Sequence, residues 1–340
     1  MSLFEMIVTP GSVDTLFYIG SILLRIVVIF GVIMLHVAYA SYFERKTIGH
    51  MQVRMGPMVV GPRGLLQPIA DGIKLFFKED IIPAEADKPV FYIAPIISLF
   101  AALSSLAVVP LFNGFVIANI NIGLLFILAM SSLGSYGIIM AGWSSNSKYS
   151  FLGGLRSSAQ VISYEIAMGL SLVGVMMLAG SLNLTEIVKA QERYPLNMFL
   201  IPQIVGCFVF VIAAIAETNR APFDLPEAES ELVAGYFVEY SGMRFGLFFV
   251  AEYMAMIIMA SVGIVCFLGG WNPPLSILDI PYVPFAWFFI KLYVLIFIYF
   301  WVRATLPRYR YDHLMSLGWK VLIPLALANI VVTAVVKVLL

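Results

Sequence analysis

The chain has 340 residues, of which 61% are hydrophobic and 12% charged, with a formal net charge of zero. Soluble domains run near half apolar and a quarter charged, so this composition describes a multi-spanning membrane protein. The balanced charge offers no footprint for nucleic acid. Met1–Gly20 lacks a basic leader and a small-residue cleavage site, so no removable signal peptide is expected.

Runs of about 20 apolar residues are needed to cross a bilayer core of about 30 Å. Eight such runs are predicted as transmembrane helices, at 17–42, 90–110, 121–142, 160–180, 199–217, 245–268, 285–305 and 321–339. The fold class expected is therefore all-α and polytopic, one integral membrane domain over 1–340. Fifteen of the 20 lysines and arginines fall after the first, third, fifth and seventh runs or before the next run, against three on the opposite side. The positive-inside rule makes the first set cytoplasmic or matrix-facing and puts both termini outside. Arg25 and Lys291 lie inside spans near their outer ends and read as snorkelling residues without a role.

Between the first two spans, residues 64–78 place Leu65, Ile69, Ile73 and Phe76 on one helical stripe. Gln67, Asp71, Lys74 and Lys78 lie on the other. This predicts an amphipathic helix lying in the membrane interface, in preference to a short re-entrant segment.

Redox groups are not expected in this chain. Cys207 and Cys266 sit in apolar runs and are too few for an iron–sulfur cluster, which takes four protein ligands. His36 is the only histidine in a span, so a haem held by paired histidines is not expected, and no dinucleotide fingerprint is present. Electrons would have to arrive from another subunit.

Acids in the spans are the strongest functional signal. Glu165, Glu217 and Glu252 are placed by the span boundaries at similar depth near the inner face, and ionised carboxyls there are costly. A single one reads as a structurally paired group. Three at matched depth read as sites that take up and release protons, forming half a route that must continue sideways into another protein. The inner loop 217–244 then carries five acids and Arg220 within its first fifteen residues. Asp224, Glu227, Glu229 and Glu231 are close enough for coupled titration whether the segment is extended or helical. Phe223, Leu225, Leu232, Val233, Tyr236 and Phe237 argue for a packed loop over a solvated one.

The segment Glu217-Thr-Asn-Arg-Ala-Pro-Phe-Asp-Leu-Pro-Glu-Ala-Glu-Ser-Glu-Leu resembles the signature of the H-subunit family (chain 1 of the mitochondrial enzyme) of proton-pumping NADH:quinone oxidoreductases, respiratory complex I. Further matches are Glu44-Arg-Lys, Gln52-Val-Arg-Met-Gly-Pro, Val60-Gly-Pro, Leu65-Leu-Gln-Pro-Ile-Ala-Asp, Ser163-Tyr-Glu, Ala251-Glu-Tyr and Arg303-Ala-Thr-Leu-Pro-Arg-Tyr-Arg-Tyr-Asp. They run from 44 to 312, essentially the whole chain.

The resemblance implies a subunit that binds no cofactor of its own and takes a quinone as substrate. It implies partner subunits that carry FMN and iron–sulfur clusters, further membrane subunits of antiporter type, and a bacterial inner membrane, with an organellar membrane as alternative. By position, it assigns Glu165, Glu217, Glu227, Glu229, Glu231, Glu252 and Asp71 as proton-linked carboxyls. It assigns Arg45, Arg54, Arg220, Phe223, Asp224, Arg308 and Arg310 to the quinone chamber or the docking face. Two competing readings are a membrane anchor whose loop only docks a soluble enzyme, and the related subunit of a membrane-bound hydrogenase or ferredoxin-dependent complex without a quinone site.

Overall fold

The computed structural model describes residues 15–193, 196, 198–224, 233–274 and 286–339, with side chains from Gly20 onward except Ser21. All its regular elements are helical: α1 (Thr15–Met51), α2 (Gln67–Phe77), α3 (Lys88–Leu106), α4 (Gly123–Ser144), α5 (Lys148–Ala179), α6 (Leu184–Gln191), α7 (Ile204–Glu217), α8 (Gly242–Phe267), α9 (Ala286–Thr305), α10 (Tyr311–Leu317) and α11 (Ile323–Leu339). A π turn over Gly318–Leu322 joins α10 to α11 into one continuous rod.

Among the described residues, seven helices are long and apolar enough to cross a membrane: α1, α3, α4, α5, α8, α9 and the α10–α11 rod. The eighth expected span is α7, an apolar helix of only 14 residues. At 1.5 Å per residue it is about 21 Å long, so the helix by itself is shorter than a bilayer core of about 30 Å. Turns over 199–203 precede it, and Gln203 there anchors the chain by bonding Thr333 and Asn329 of α11. Other boundaries shift as well. Helix α5 begins at Lys148, twelve residues before the expected start, and α1 continues to Met51.

Helix α8 is the hub. From Met256 to Phe267 every residue is buried, which is the pattern of a helix apolar all round. The peripheral helices bury one stripe each. In α1 the stripe is Arg25, Ile29, Ile33, Val37, Ala40 and Glu44, while Leu23, Val27, Phe30 and Leu35 face outward. Arg25 is therefore turned into the bundle, and snorkelling does not describe it. Nor does it describe Lys291, whose ammonium donates to the carbonyls of Leu268, Gly270 and Asn272 and so holds the end of α8. Helix α2 follows the amphipathic pattern over 67–77 and buries none of its residues, with Ile69, Ile73 and Phe76 exposed.

The inner loop is held by close backbone approach. A Cβ on Gly153 of α5 would come within 2.6 Å of Gly235 Cα, so a short 3₁₀ turn (Gly235–Phe237) lies directly against α5. Tyr236, Phe237 and Tyr240 bury behind it against Phe91 and Phe248, and the ring of Tyr240 stacks on Phe91 at 4.0 Å. The structure thus shows a packed wall at both described ends of the loop.

Candidate functional site

Two cavities meet at Glu252. The larger, of about 600 Å³ and half-open, lies between the inner ends of α1, α8 and α9 and the turn after Met51. That volume is within the usual range for a small-molecule site. Ile48, Met55 and Phe249 supply apolar wall, while Glu44, Arg45, Arg54, Arg220, Glu252, Tyr253 and Arg303 supply charge and hydrogen-bonding groups.

One buried network organises that wall. Arg220 Nε lies 2.8 Å from Glu252 Oε1, and Arg220 Nη1 lies 3.6 Å from Glu44 Oε1. The same guanidinium covers the Tyr253 ring at 4.2 Å from its centroid. Tyr253 donates its hydroxyl to Glu44 Oε2, and Arg303 reaches Glu44 Oε1 from α9. The side chains of Glu44, Arg220 and Glu252 are 5%, 7% and 11% exposed. Removing charges from water is expensive, and here each acid is matched by a guanidinium.

The smaller cavity, about 100 Å³, lies behind the first and is lined by Glu217, Glu252 and the serines Ser98, Ser105, Ser131 and Ser135. Ser131 donates to Glu165 Oε1 at 3.2 Å and Ser132 bonds the same oxygen. Glu217 Oε2 and Ser98 Oγ are buried with no hydrogen-bond partner among the described residues. Counted along their helices, Glu165, Glu217 and Glu252 lie 14, 13 and 15 residues from Ala179, Ile204 and Phe267. That is about 20 Å in each case, and Ser131, bonded to Glu165, lines the same pocket as Glu217 and Glu252.

The stretch leaving α7 is positioned from both sides. Gln160 Nε2, fully buried on α5, donates to the carbonyls of Ala216 and Phe223 at 2.7 Å each. Arg308 binds Asp224 at 3.1 Å, the Tyr309 amide donates to Pro222, and the Phe223 and Tyr309 rings stack at 5.6 Å. Tyr164, beside Glu165, packs its ring 5.7 Å from that of Phe223. Gln160 and a set of backbone bonds, with the Tyr309 amide on Pro222 among them, thus hold 218–224 in place of regular secondary structure.

The structure therefore brings together Glu165, Glu217, Glu252 and Arg220, and puts Arg45 and Arg54 on the chamber rim. Phe223, Asp224 and Arg308 form the clamp beside it. Asp71 stands apart from the acids: it binds Arg45 at 2.7 Å and Gln67 at 3.1 Å, and faces Lys74. Arg310 pairs with Asp312 at the surface, both mostly exposed, and does not line the chamber. Glu227, Glu229 and Glu231 lie outside the described residues. Glu44, Tyr253 and Arg303 fall within the sequence motifs without an expected role, and they are central. The available signal for Glu44 was its place at the end of the buried α1 stripe, four residues beyond Ala40.

A family model described as NADH dehydrogenase matches residues 24–334. The chain belongs to the NADH dehydrogenase family. It is 56% identical over 299 residues to the NADH-quinone oxidoreductase H subunit of Rhodospirillum rubrum, covering 88% of each chain. It is 53% identical over 313 residues to that of Paramagnetospirillum magneticum, covering 92% of this chain and 91% of the relative. With the Rickettsia typhi protein of the same name it shares 54% over 324 residues, 94% of this chain and 95% of the other. The resemblance drawn from the motifs is thereby shown. Within this family setting, the match spans both cavities and every helix that frames them.

Proposed function

We propose that this NADH dehydrogenase family chain, a membrane subunit of complex I, forms part of a quinone chamber and links quinone reduction to proton movement. The observation that carries the reading is the position of Glu252. It lines the half-open chamber with Arg220 and Glu44, and it lines the inner pocket with Glu217. Any charge arriving in the chamber therefore acts on a carboxylate that already faces the interior acids.

A quinone headgroup that accepts electrons becomes more basic and draws protons. In the chamber, the guanidinium groups of Arg220 and Arg303 stabilise negative charge developing on the headgroup. Such charge competes with Glu44 and Glu252 for those same two guanidinium groups. Loosened from Arg220, Glu252 favours a proton, and its other face opens towards Glu217. Ser131 then stands between Glu217 and Glu165 as a hydroxyl that can both donate and accept. The route stops there in this chain, so neighbouring membrane subunits of antiporter type would continue it.

FMN and iron–sulfur clusters belong to peripheral partner subunits in this reading, and the chain itself holds no resident cofactor. Those subunits would close the open side of the chamber, contacting Arg45, Arg54 and the acidic loop. Helix α2 would lie in the interface plane, with its apolar stripe towards lipid. The location proposed is a bacterial inner membrane with the chamber at the cytoplasmic side and both termini outside. Proteoliposomes containing the complete enzyme with Glu165→Gln test the proposal against a passive membrane anchor. The proposal expects NADH-driven proton translocation to fall at least tenfold with the complex assembled. Undiminished translocation would leave the anchor.

A further inference from the structure

On the other side of α1 from the chamber is an open niche of about 530 Å³, formed by Phe43, Lys46, Thr47, His50 and Met51 of α1 with Phe297 of α9. None of these side chains belongs to the carboxylate network. Its head end is polar and cationic. Among the described residues, Lys46 Nζ bonds a thioether, Met58 Sδ at 3.0 Å, and lies 5.8 Å from the centre of the Tyr42 ring. A sulfur is a weak acceptor that an anionic oxygen displaces easily. His50 engages the Lys46 carbonyl through Nδ1, which leaves Nε2 directed elsewhere.

The other end of the niche is apolar and continues along the bundle. Ring contacts of Phe43 with Tyr293 and Phe300, and of His36 with Phe289, show α1 and α9 running in parallel register. By that register Lys46 and His50 stand level with the last turn of α9. From there Trp301, Phe297, Val294 and Ile290 form one exposed stripe at helical spacing. The stripe covers twelve residues, about 16 Å from Ile290 to Trp301, which is comparable to an extended acyl chain in one leaflet. Trp301 sits where an interfacial aromatic belongs.

We infer that this niche binds a phospholipid with an anionic headgroup, the phosphate on Lys46 and His50 and one acyl chain along the α9 stripe. The inference does not rest on the quinone or proton reading. Charge selects the ligand class: the inner rim concentrates basic residues, and an anionic leaflet is attracted to them. Continuity selects a lipid over a soluble phosphate, because the cationic end opens directly onto the apolar stripe.

The test uses the intact complex in vesicles. Phosphatidylglycerol carrying a photoreactive acyl chain is the probe, and the same label on phosphatidylcholine is the comparison. The inference expects labelling of α9 at 290–301 to be stronger with the anionic probe. Lys46→Gln should weaken it about fivefold, the factor for one basic residue at an anionic surface. Lys74→Gln, at an exposed lysine on α2, should leave it unchanged. Equal labelling by both probes in the wild-type complex would reduce the niche to ordinary lipid contact and overturn the inference. So would labelling indifferent to Lys46→Gln, or absent because a neighbouring subunit covers the stripe.

Discussion

Arg220→Met is the most informative single change, because one guanidinium serves two acids unequally. Its Nε is 2.8 Å from Glu252, whereas its Nη1 is 3.6 Å from Glu44. Glu44 also has Arg303 and the Tyr253 hydroxyl, so it keeps both after the substitution. The burden therefore falls on Glu252, whose side chain is 11% exposed. Removing one partner of a buried ion pair typically costs about 3–5 kcal/mol. The variant should lower the thermal midpoint of the assembled complex and depress quinone turnover. Rescue is the sharper readout. Arg220→Met combined with Glu252→Gln should recover more than half of the lost stability, since the second change removes the carboxylate that Arg220 holds most closely. Combined with Glu44→Gln, little should return. Arg220→Lys should also fall short, since an ammonium cannot present the planar fork that reaches both acids. Thermal melts and turnover assays of the five complexes decide this. Equal rescue by both glutamine variants, or an Arg220→Met complex as stable as the wild type, would refute the reasoning.

Lys291→Met withdraws the ammonium from three carbonyls at the end of α8, of which the Gly270 carbonyl is buried, and an unmet buried acceptor costs about 1–3 kcal/mol. The expected result is a lowered melting temperature with unchanged turnover in the folded fraction, measured by differential scanning. Gly153→Ala drives a methyl group to 2.6 Å from Gly235 Cα, and overpacking of that kind typically costs about 1–3 kcal/mol. Limited proteolysis should cut the 217–244 loop faster in that variant. Burial pushes the Tyr240 phenol, which lies outside the spans, up to about 12. Because its proton is held more tightly in the fold than in the unfolded chain, its contribution is complete below about pH 10, the usual phenol value. It fades as pH rises towards 12. Melting curves across that window should show the decline in the wild type and a flatter profile in Tyr240→Phe.

The spans were legible because membrane crossing is written in local composition. The 3.6-residue pattern of α2 placed it within a few residues. Helix boundaries were less legible. The first turns of α5 carry Lys148, Ser150, Gly153 and Gly154, which read as loop, yet Gly153 is what lets α5 reach the 3₁₀ turn and Gly154 lies against Gly142 of α4. The shortness of α7 was hidden for a similar reason. Residues 199–203 are apolar enough to extend a span, but Gln203 is committed to α11.

The site divides along the same line. Glu165, Glu217 and Glu252 stand out as acids in oil, so a reading of depth alone found them. Glu44 sits beside Arg45 and Lys46 at a helix end and looks like an interface residue. Its partners Tyr253 and Arg303 are 209 and 259 positions away, a distance no spacing rule covers. Asp71, the one acid of its motif, pairs with Arg45 at 2.7 Å on the rim, away from the three interior acids. Arg25 and Lys291 looked like snorkelling cations because hydropathy records depth along a helix and not which face is turned inward.

The central claim is that the acids between α4, α5, α7 and α8 change protonation as quinone is reduced. Infrared difference spectroscopy of the complete enzyme, recorded between its oxidised and quinol-bound states, reads carboxylic acid C=O bands directly. The account predicts a carboxyl band that changes on reduction and is lost in Glu217→Gln or Glu252→Gln. Difference spectra in which neither substitution removes any carboxyl band would contradict it.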